Sequence, residues 1–273
     1  MPAIHPTAIV DPAARLADSA RVGPYCVVGP DVQLGEGVEL KSHVVVDGRT
    51  SVGDGSVIFP FASVGMPPQD LKYKGEPSRL EIGRNVQIRE HVTVNPGTEG
   101  GGMLTKVGDN VLLAIGAHVA HDVHIGNHCI IMNHVLLGGH VVIEDYVVVG
   151  GGTAVHQFVR LGQHAMIGGA SGIENDVIPF ATAFGNRARL QGLNLVGMKR
   201  RGFKREDIHA VRNAYKLLFS AAAGTVMAER LEAVAAQYGT SQAVQDIVAF
   251  IRADASRSIC QPTAESVAAG DAE

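Results

Sequence analysis

Aliphatic residues recur along most of this chain with a period of six. The period holds for eleven residues from Ile4 to Val64 and, after a short run that begins at Ile82, for twelve more from Val107 to Ile173. Six residues match neither the 3.6-residue turn of an α-helix nor the two-residue alternation of a flat strand. They match short strands that meet at the corners of a three-sided coil, with three hexads in each turn.

The repeat therefore predicts an all-β fold, a parallel β-helix over residues 1–190. Residues three hexads apart should stack at roughly 4.8 Å, the spacing of hydrogen-bonded strands. Two stretches interrupt the period, near 66–81 and 97–106, and we expect both to leave the coil as loops. Glycine often follows the buried aliphatic residue, as at Gly23 and Gly29, where a side chain would obstruct the turn.

The remainder of the chain has a helical pattern. Ile208, Val211, Tyr215 and Leu218 recur at the spacing of one helix face. We expect an α-helical C-terminal domain over 191–273 that ends in a frayed, disordered tail after residue 257.

Composition narrows the function classes. The 273 residues carry a formal net charge of −4, with a pI near 6.3, so general affinity for nucleic acid or membrane is not expected. The three cysteines, Cys26, Cys129 and Cys260, are too scattered for a disulfide framework and are interpreted as buried thiols. The sequence has neither a leader pattern at its start nor a long apolar span, and it predicts a cytoplasmic protein.

Stacking at three hexads predicts which side chains become neighbours. One column contains His121, Gly139 and Gln157, and the adjacent column contains Asp122 and His140. A histidine would then lie one coil below a glycine N–H, with a carboxylate close by. This arrangement is typical of a general base with an orienting carboxylate and a backbone oxyanion donor.

The histidines between residues 118 and 140 also have simpler interpretations. They are numerous, and histidines on an outer face are often only solvated. The spacing of His118, His121 and His124 is compatible with zinc. However, His118 and His124 are one hexad apart and should lie on different faces, so one subunit would not easily bring all three to one ion.

Four segments, in order along the chain, carry a resemblance to a known family. They read QDLKYKGEPSR, AHVAHDVHIGNHC, GGTAVHQF and NLVGMKRRGF. Together they resemble the acyl-carrier-protein:UDP-N-acetylglucosamine O-acyltransferases, which catalyse the first step of lipid A synthesis. The resemblance implies a homotrimer of left-handed β-helices with active sites between subunits and no cofactor. It implies transfer of an (R)-3-hydroxyacyl group from acyl carrier protein to the 3-hydroxyl of the sugar.

The resemblance also assigns catalytic roles. His121 would be the general base, Asp122 would fix its tautomer, and the backbone of Gly139 would stabilise the oxyanion. No serine or cysteine shares the His121 column, which favours direct transfer over an acyl-enzyme.

Further residues match binding positions of the family. Those expected to hold the sugar nucleotide or acyl group are Asp70, Lys72, His118, His140, His156 and Gln157. Asn194, Arg200 and Arg201 match nucleotide contacts, and paired arginines suit a diphosphate. The same basic cluster could steer an acidic carrier protein.

An acyl chain needs an apolar groove. The outward column Ile130, Val148 and Met166 is apolar where solvent would favour polar residues, and we expect it to line a hydrocarbon trough or a subunit seam. Gly169 matches the family position that limits chain length, and its small size implies a long acyl chain.

Some alternatives remain open. Asn95 stands where well-known members have histidine, and Val196 where they often have an acidic residue, so the acceptor atom at the sugar 3-position is oxygen or nitrogen. A zinc-dependent γ-type carbonic anhydrase would share the coil and would be decided by metal analysis. A related N-acyltransferase carries an extra N-terminal domain, whereas this repeat starts at Ile4. If the protein is a non-catalytic scaffold, His121→Ala would cause no loss of activity, because the wild type would have none.

Overall fold

The computed structural model describes residues 1–220, 226–253 and 255–263, and its first two thirds form a three-sided coil. Each turn of the coil contributes one short strand to each of three sheets, so every sheet is a parallel ladder along the axis. The coil is a left-handed β-helix: the period of six predicted the three-sided parallel coil, and the family resemblance implied its hand.

Within the described residues, sheet 1 has eleven strands. In spatial order they are β1 (Ala3–Ile4), β4 (Arg21–Val22), β7 (Glu39–Leu40), β10 (Val57–Ile58), β13 (Gln87–Ile88), β16 (Leu112–Leu113), β19 (Ile130–Ile131), β22 (Val148–Val149), β25 (Met166–Ile167), β27 (Ala181–Phe184) and β28 (Arg189–Leu193). The neighbours are parallel until β27 and β28, which form an antiparallel pair at the end of the coil.

Sheets 2 and 3 have nine and eight strands in the same part of the chain. Sheet 2 contains β2 (Ile9–Val10), β5 (Val27–Val28), β8 (Val45–Val46), β11 (Ser63–Val64), β14 (Thr93–Val94), β17 (His118–Val119), β20 (Leu136–Leu137), β23 (Ala154–Val155) and β26 (Gly172–Ile173). Sheet 3 contains β3 (Arg15–Leu16), β6 (Gln33–Leu34), β9 (Arg49–Val52), β12 (Arg79–Ile82), β15 (Leu104–Val107), β18 (His124–Ile125), β21 (Val142–Ile143) and β24 (Arg160–Leu161).

The strand register confirms the stacking at three hexads and locates both loops. Val119 pairs with Leu137, and Leu137 with Val155, each three hexads further on. Val64 instead pairs with Val94, and Val94 with Val119, so these two coils are longer than three hexads. The two interruptions therefore lengthen the coils that contain them without shifting the register.

The repeated aliphatic residues fill the interior of the coil. From Val22 onward they are buried, and so is a second position two residues earlier in most hexads, such as Ala20 and Val32. Ile4 is 44% exposed, because β1 is an edge strand of its sheet in the described residues. Burial of each large aliphatic side chain contributes about 1.5–3 kcal/mol.

Glycines after the buried aliphatic residue allow neighbouring coils to approach. A Cβ placed on Gly23 would lie 2.5 Å from the carbonyl oxygen of Lys41. Left-handed corner positions, in contrast, often carry rings, and those rings stack on the next coil, as His128, Tyr146, His164 and Phe180 do. The glycines named above therefore act through close approach, and many corners are not glycine.

In the described residues, four helices follow the hairpin β27–β28. They are α1 (Leu195–Arg200), α2 (Arg205–Leu218), α3 (Met227–Tyr238) and α4 (Gln242–Arg252). The hairpin extends to Leu193, across the boundary that the sequence placed at 190/191. No helix in this part of the chain is long and apolar enough to cross a bilayer.

The expected disordered tail after residue 257 is wrong as far as residue 263. Ile259 pairs with Asp176, Pro262 pairs with Leu190, and Cys260 is buried against the coil. The segment returns to the coil because Asp176 and Leu190 offer it backbone partners, a tertiary contact that the local pattern does not encode. The prediction for 264–273 lies outside the described residues.

The prediction that the three scattered cysteines are buried thiols is confirmed. Cys26, Cys129 and Cys260 are all buried free thiols. They therefore pack as small apolar side chains.

Candidate active site

His121 and Asp122 form the corner between β17 of sheet 2 and β18 of sheet 3. Asp122 has a left-handed backbone (φ 58°), and its side chain is only 1% exposed. Its carboxylate accepts hydrogen bonds from the backbone N–H of Thr98 (2.8 Å) and from Thr98 Oγ1 (2.6 Å). His121 Nδ1 lies 2.8 Å from Asp122 Oδ2.

This geometry determines the tautomer of His121. An ionised carboxylate only accepts hydrogen bonds, so His121 Nδ1 carries the proton and Nε2 keeps its lone pair. The side chain is 12% exposed, which leaves the ring accessible from one side. His121 can therefore take a proton at Nε2 while Asp122 stabilises the resulting cation.

Gly139 lies directly over the His121 ring, one coil further on. A Cβ at this position would lie 2.6 Å from His121 Cε1 and 2.7 Å from Nε2, so only glycine fits beside the ring in this orientation. Among the described residues, no backbone acceptor is found for the Gly139 N–H. This donor is available to an oxyanion formed beside Nε2.

Two further histidines flank the pair. His140 stacks on Phe158 (4.4 Å between ring centroids) and meets His121 edge-on (5.0 Å). His118 Nδ1 lies 2.7 Å from Thr93 Oγ1. Burial is the main cause that lowers the pKa of both His118 and His140. Both rings are therefore neutral at neutral pH and can serve as hydrogen-bonding groups for a substrate.

An open pocket of about 260 Å³ adjoins His121. Its lining combines polar groups from the coil and the first loop with small and apolar residues of sheet 2 and of the turns beside it. The lining residues are Gln69, Asn95, His118, Ala120, His121, Leu136, Leu137, Gly138, Gly139, Ala154, Val155 and Gln157.

Asn95 connects the pocket to the first loop. Its Nδ2 donates to the carbonyl oxygens of Met66 (3.0 Å) and Pro67 (3.4 Å). Its Oδ1 is buried and has no hydrogen-bond partner among the described residues. Asn95 thus holds the start of the loop against the pocket and keeps one acceptor unused.

The two loops are also tied to each other beside the site. Glu76 accepts hydrogen bonds from the N–H groups of Lys74 and Glu99, one in each loop. Asp70 accepts from the N–H of Lys72 (3.0 Å), and its charge acts on His140. Asp70 therefore lies near the corner of His121 and Asp122, whereas Lys72 is exposed.

The predicted nucleotide contacts lie at a different corner of the coil. Arg201 stacks over the Tyr146 ring at 4.2 Å. Asn194 caps α1 by accepting from the N–H of Gly197, and it donates to the carbonyl of His164. Tyr146 and His164 belong to the corner between sheets 3 and 1, so one chain does not bring Arg201 to the His121 corner. Arg200 precedes it at the end of the same short helix.

The predicted acyl groove is likewise separate from the pocket within one chain. Ile130, Val148 and Met166 form a half-buried row on sheet 1, whereas the pocket opens on sheet 2. Gly169 lies at the corner between these two sheets, in the turn that joins β25 to β26.

Sequence reasoning missed several residues of the site. Leu136 and Ala154 follow His118 in its column and were accessible to the rule of three hexads. Gln69 and Thr98 belong to the ejected loops, where the repeat gives no register, so no pattern in the sequence indicated them.

One group in the described part of the chain could ligate a metal ion. Donor atoms of His121, Asp122 and His140 lie within 4.8 Å of one another. His121 and Asp122 already share a hydrogen bond, so a metal would have to displace that proton. The predicted separation of His118 and His124 is confirmed, since they lie on sheets 2 and 3.

Known proteins share this arrangement of coil and helices. The family model for domain 2 of UDP-N-acetylglucosamine O-acyltransferase matches residues 176–260, and the bacterial transferase hexapeptide model matches 13–48 and 104–139. The acyl-[acyl-carrier-protein]–UDP-N-acetylglucosamine O-acyltransferase of Rhizobium etli is 48% identical over 260 residues, which cover 95% of each chain. The chain belongs to the UDP-N-acetylglucosamine O-acyltransferase family.

Solved structures of members of this family are similar to the chain over nearly its whole length. LpxA from Acinetobacter baumannii superposes with a TM-score of 0.88 at 42% identity, covering 94% of this chain and 99% of the other. The UDP-N-acetylglucosamine acyltransferase of Francisella novicida has a TM-score of 0.91 at 36% identity, with 96% and 95% covered. The enzyme of Arabidopsis has a TM-score of 0.84 at 34% identity, with 94% and 100% covered.

Proposed function

We propose that this acyltransferase moves an (R)-3-hydroxyacyl group from the thioester of acyl carrier protein to the 3-position of UDP-N-acetylglucosamine, in the first step of lipid A biosynthesis. The observation that carries the proposal is the constellation of Asp122, His121 and Gly139 in a fold of this family. A cytoplasmic location belongs to the proposal, because the carrier protein supplies the acyl group there.

The reaction begins at the sugar hydroxyl. His121 Nε2 takes its proton as the oxygen attacks the thioester carbonyl, and the carbonyl oxygen becomes an oxyanion that accepts from the N–H of Gly139. Collapse of the tetrahedral intermediate breaks the carbon–sulfur bond. The leaving thiolate recovers the proton from the His121 imidazolium, so the base is regenerated.

Direct transfer fits the surroundings of the pocket. No serine or cysteine is among the residues that line it in the described part of the chain. Cys129 is buried, and burial raises the pKa of its thiol to about 12, which suppresses the nucleophilic thiolate. We therefore propose that no acyl-enzyme forms.

The distribution of binding residues supports a homotrimer. Arg200, Arg201 and Asn194 lie one corner away from His121, where a neighbouring subunit would present them to the diphosphate and nucleoside bound at the first subunit's site. The residues proposed to hold the sugar and the acyl carbonyl from the first subunit are His118, His140, His156, Gln157, Asp70 and Lys72.

The acyl chain is proposed to lie along the seam between subunits, over Ile130, Val148 and Met166. Gly169 would set its length, because it matches the family position that limits chain length. A long, myristoyl-sized chain is expected. Gly169→Met should shorten the preferred chain, and an unchanged preference would remove this part of the proposal.

The acceptor can be tested directly. Purified protein is supplied with (R)-3-hydroxymyristoyl carrier protein and either UDP-N-acetylglucosamine or its 3-amino analogue, and products are identified by mass spectrometry. Transfer to the 3-hydroxyl supports the proposal. Exclusive transfer to the 3-amine would change the acceptor and would point to Asn95, whose free Oδ1 can accept from an amine. Absence of transfer to both would overturn the proposed function.

A further inference from the structure

The C-terminal segment returns to the coil beside the proposed active site. The carbonyl of Ser258 accepts from the N–H of Asp176 (2.9 Å), and the N–H of Cys260 donates to the carbonyl of Asp176 (2.8 Å). These paired backbone bonds anchor the residue just before them, Arg257, which lies next to a coil corner 100 residues earlier in the chain.

Arg257 contacts two residues of that corner. Its Nε donates to the carbonyl oxygen of Gln157 (3.0 Å), and its Nη2 lies 2.6 Å from His156 Nδ1. A guanidinium group has no acceptor, so His156 Nδ1 must accept this bond. The same Nδ1 lies 3.2 Å from the Gln157 carbonyl oxygen, but an Nδ1 that accepts from Arg257 carries no proton to donate to that oxygen.

The contact therefore determines the state of the His156 ring. The ring is neutral and carries its proton on Nε2, on the edge opposite Arg257. His156 is an exposed ring in the column of Ala120 and Gly138, both of which line the pocket, and Gln157 lines it as well. An Nε2–H at this position is a donor available to an oxygen of the substrate.

We propose that Arg257 is a positioning residue of the acyltransferase site, which fixes His156 as an Nε2–H donor and holds the Gln157 corner in place. The proposal rests on the proposed function, because it assigns His156 to bind a hydroxyl or carbonyl oxygen of a substrate. It also couples the end of the helical domain to the pocket, through a residue outside the coil.

A double-mutant cycle tests the proposal. Arg257→Met, His156→Ala and the double variant are compared with wild type in steady-state acyl transfer. Arg257→Met should lower kcat/KM by about 10-fold, mainly through a raised KM, because a misplaced donor weakens binding. In the double variant, loss of Arg257 should lower kcat/KM by clearly less than it does in wild type, because only its hydrogen bond to the Gln157 carbonyl is left to lose. Arg257→Lys should recover part of the activity, because an ammonium still donates to Nδ1.

Arg252→Met is the matched control. Arg252 ends α4 five residues earlier, and its exposed guanidinium pairs with Glu232 at 2.7 Å, away from the pocket. This variant should keep wild-type kinetics. An unchanged kcat/KM in Arg257→Met, or effects that multiply fully in the double variant, would overturn the proposal.

A readout independent of turnover separates this proposal from the proposed function. In ¹⁵N-histidine-labelled protein, the His156 ring, assigned by comparison with His156→Ala, should show the Nε2–H tautomer in wild type and a tautomer mixture in Arg257→Met. If wild type transfers no acyl group, the proposed function fails. The ¹⁵N signals of the His156 ring still test whether Arg257 fixes its tautomer. Identical His156 signals in both proteins would contradict it.

Discussion

At the scale of single residues, the corner of His121 and Asp122 combines a strained backbone with a fully hydrogen-bonded carboxylate. The left-handed backbone of Asp122 costs on the order of 1–3 kcal/mol in a residue other than glycine. Its carboxylate accepts from Thr98 twice and from His121 once, and hydrogen bonds to a charged group contribute about 1.5–3 kcal/mol each. These bonds hold the corner in the conformation that orients His121.

Removing the charge of Asp122 should disable the proposed base. In Asp122→Asn, the amide can no longer accept from Thr98 and His121 together, so His121 loses its fixed tautomer. We expect kcat/KM to fall by about 10²-fold or more, measured by acyl transfer. Thr98→Val, which leaves the carboxylate and its contact with His121, should cost much less. Equal losses in both variants would show that the carboxylate has no special role.

Gly139 provides a second prediction at this scale. The Cβ of Gly139→Ala would displace the end of the His121 ring, so activity should fall about 10²-fold while the urea midpoint stays near that of wild type. Gly100→Ala is the control, since none of the described residues lies within 4 Å of a Cβ at that position. Full activity in Gly139→Ala would contradict the proposed role of the contact between Gly139 and the His121 ring.

At the scale of elements, ring stacks connect successive coils at their corners. His164 lies between Tyr146 and Phe180 with centroid distances of 4.8 and 5.3 Å, and it is 7% exposed. Burial is the larger cause that lowers the pKa of His164 to about 4, and the positive charge of Arg201 is the next. The folded state therefore holds this ring neutral over a pH range in which an unfolded chain protonates it.

The sign of the pH dependence follows from this difference. Between about pH 6.5 and pH 4 the unfolded state binds a proton that the folded state excludes, so acidification removes stability, by about 3 kcal/mol in the limit. His164→Phe keeps the stack and should flatten the loss of urea midpoint between pH 7 and pH 5. His128→Phe, an exposed ring of the same stack, is the control. An unchanged slope in His164→Phe would show that this ring does not govern the acid sensitivity.

The elements also show what the sequence could predict. The period of six determined the three sheets, their register and hence the neighbours of His121, because each coil repeats the same geometry. The positions of Thr98 and Gln69 in the site could not be predicted, because a loop outside the coil does not follow the six-residue repeat. The pairing of residues 258–262 with Asp176 and Leu190 could not be predicted either, because it depends on backbone groups that are distant in sequence rather than on a local pattern.

At the scale of the whole molecule, the predicted site residues lie at different corners of the three-sided coil. His121 occupies the corner between sheets 2 and 3, whereas Arg201 occupies the one between sheets 3 and 1. The proposed site between subunits would bring them together, and this makes a prediction for mixed assemblies.

Two inactive variants should complement each other. His121→Ala and the double variant Arg200→Ala/Arg201→Ala are each expected to lose activity. When equal amounts are refolded together into random trimers, about one quarter of the sites combine an intact histidine with an intact arginine pair from the neighbour. Acyl transfer should therefore recover to about a quarter of the wild-type rate. Absence of recovery in confirmed mixed trimers would place both groups in one subunit's site.

The most direct test of the central claim is the rate of acyl transfer from (R)-3-hydroxymyristoyl carrier protein to UDP-N-acetylglucosamine by His121→Ala, measured beside wild type. The account predicts a fall of about 10² or more, as expected for a lost general base, with thermal stability unchanged. A His121→Ala protein that transfers the acyl group at the wild-type rate would contradict the account.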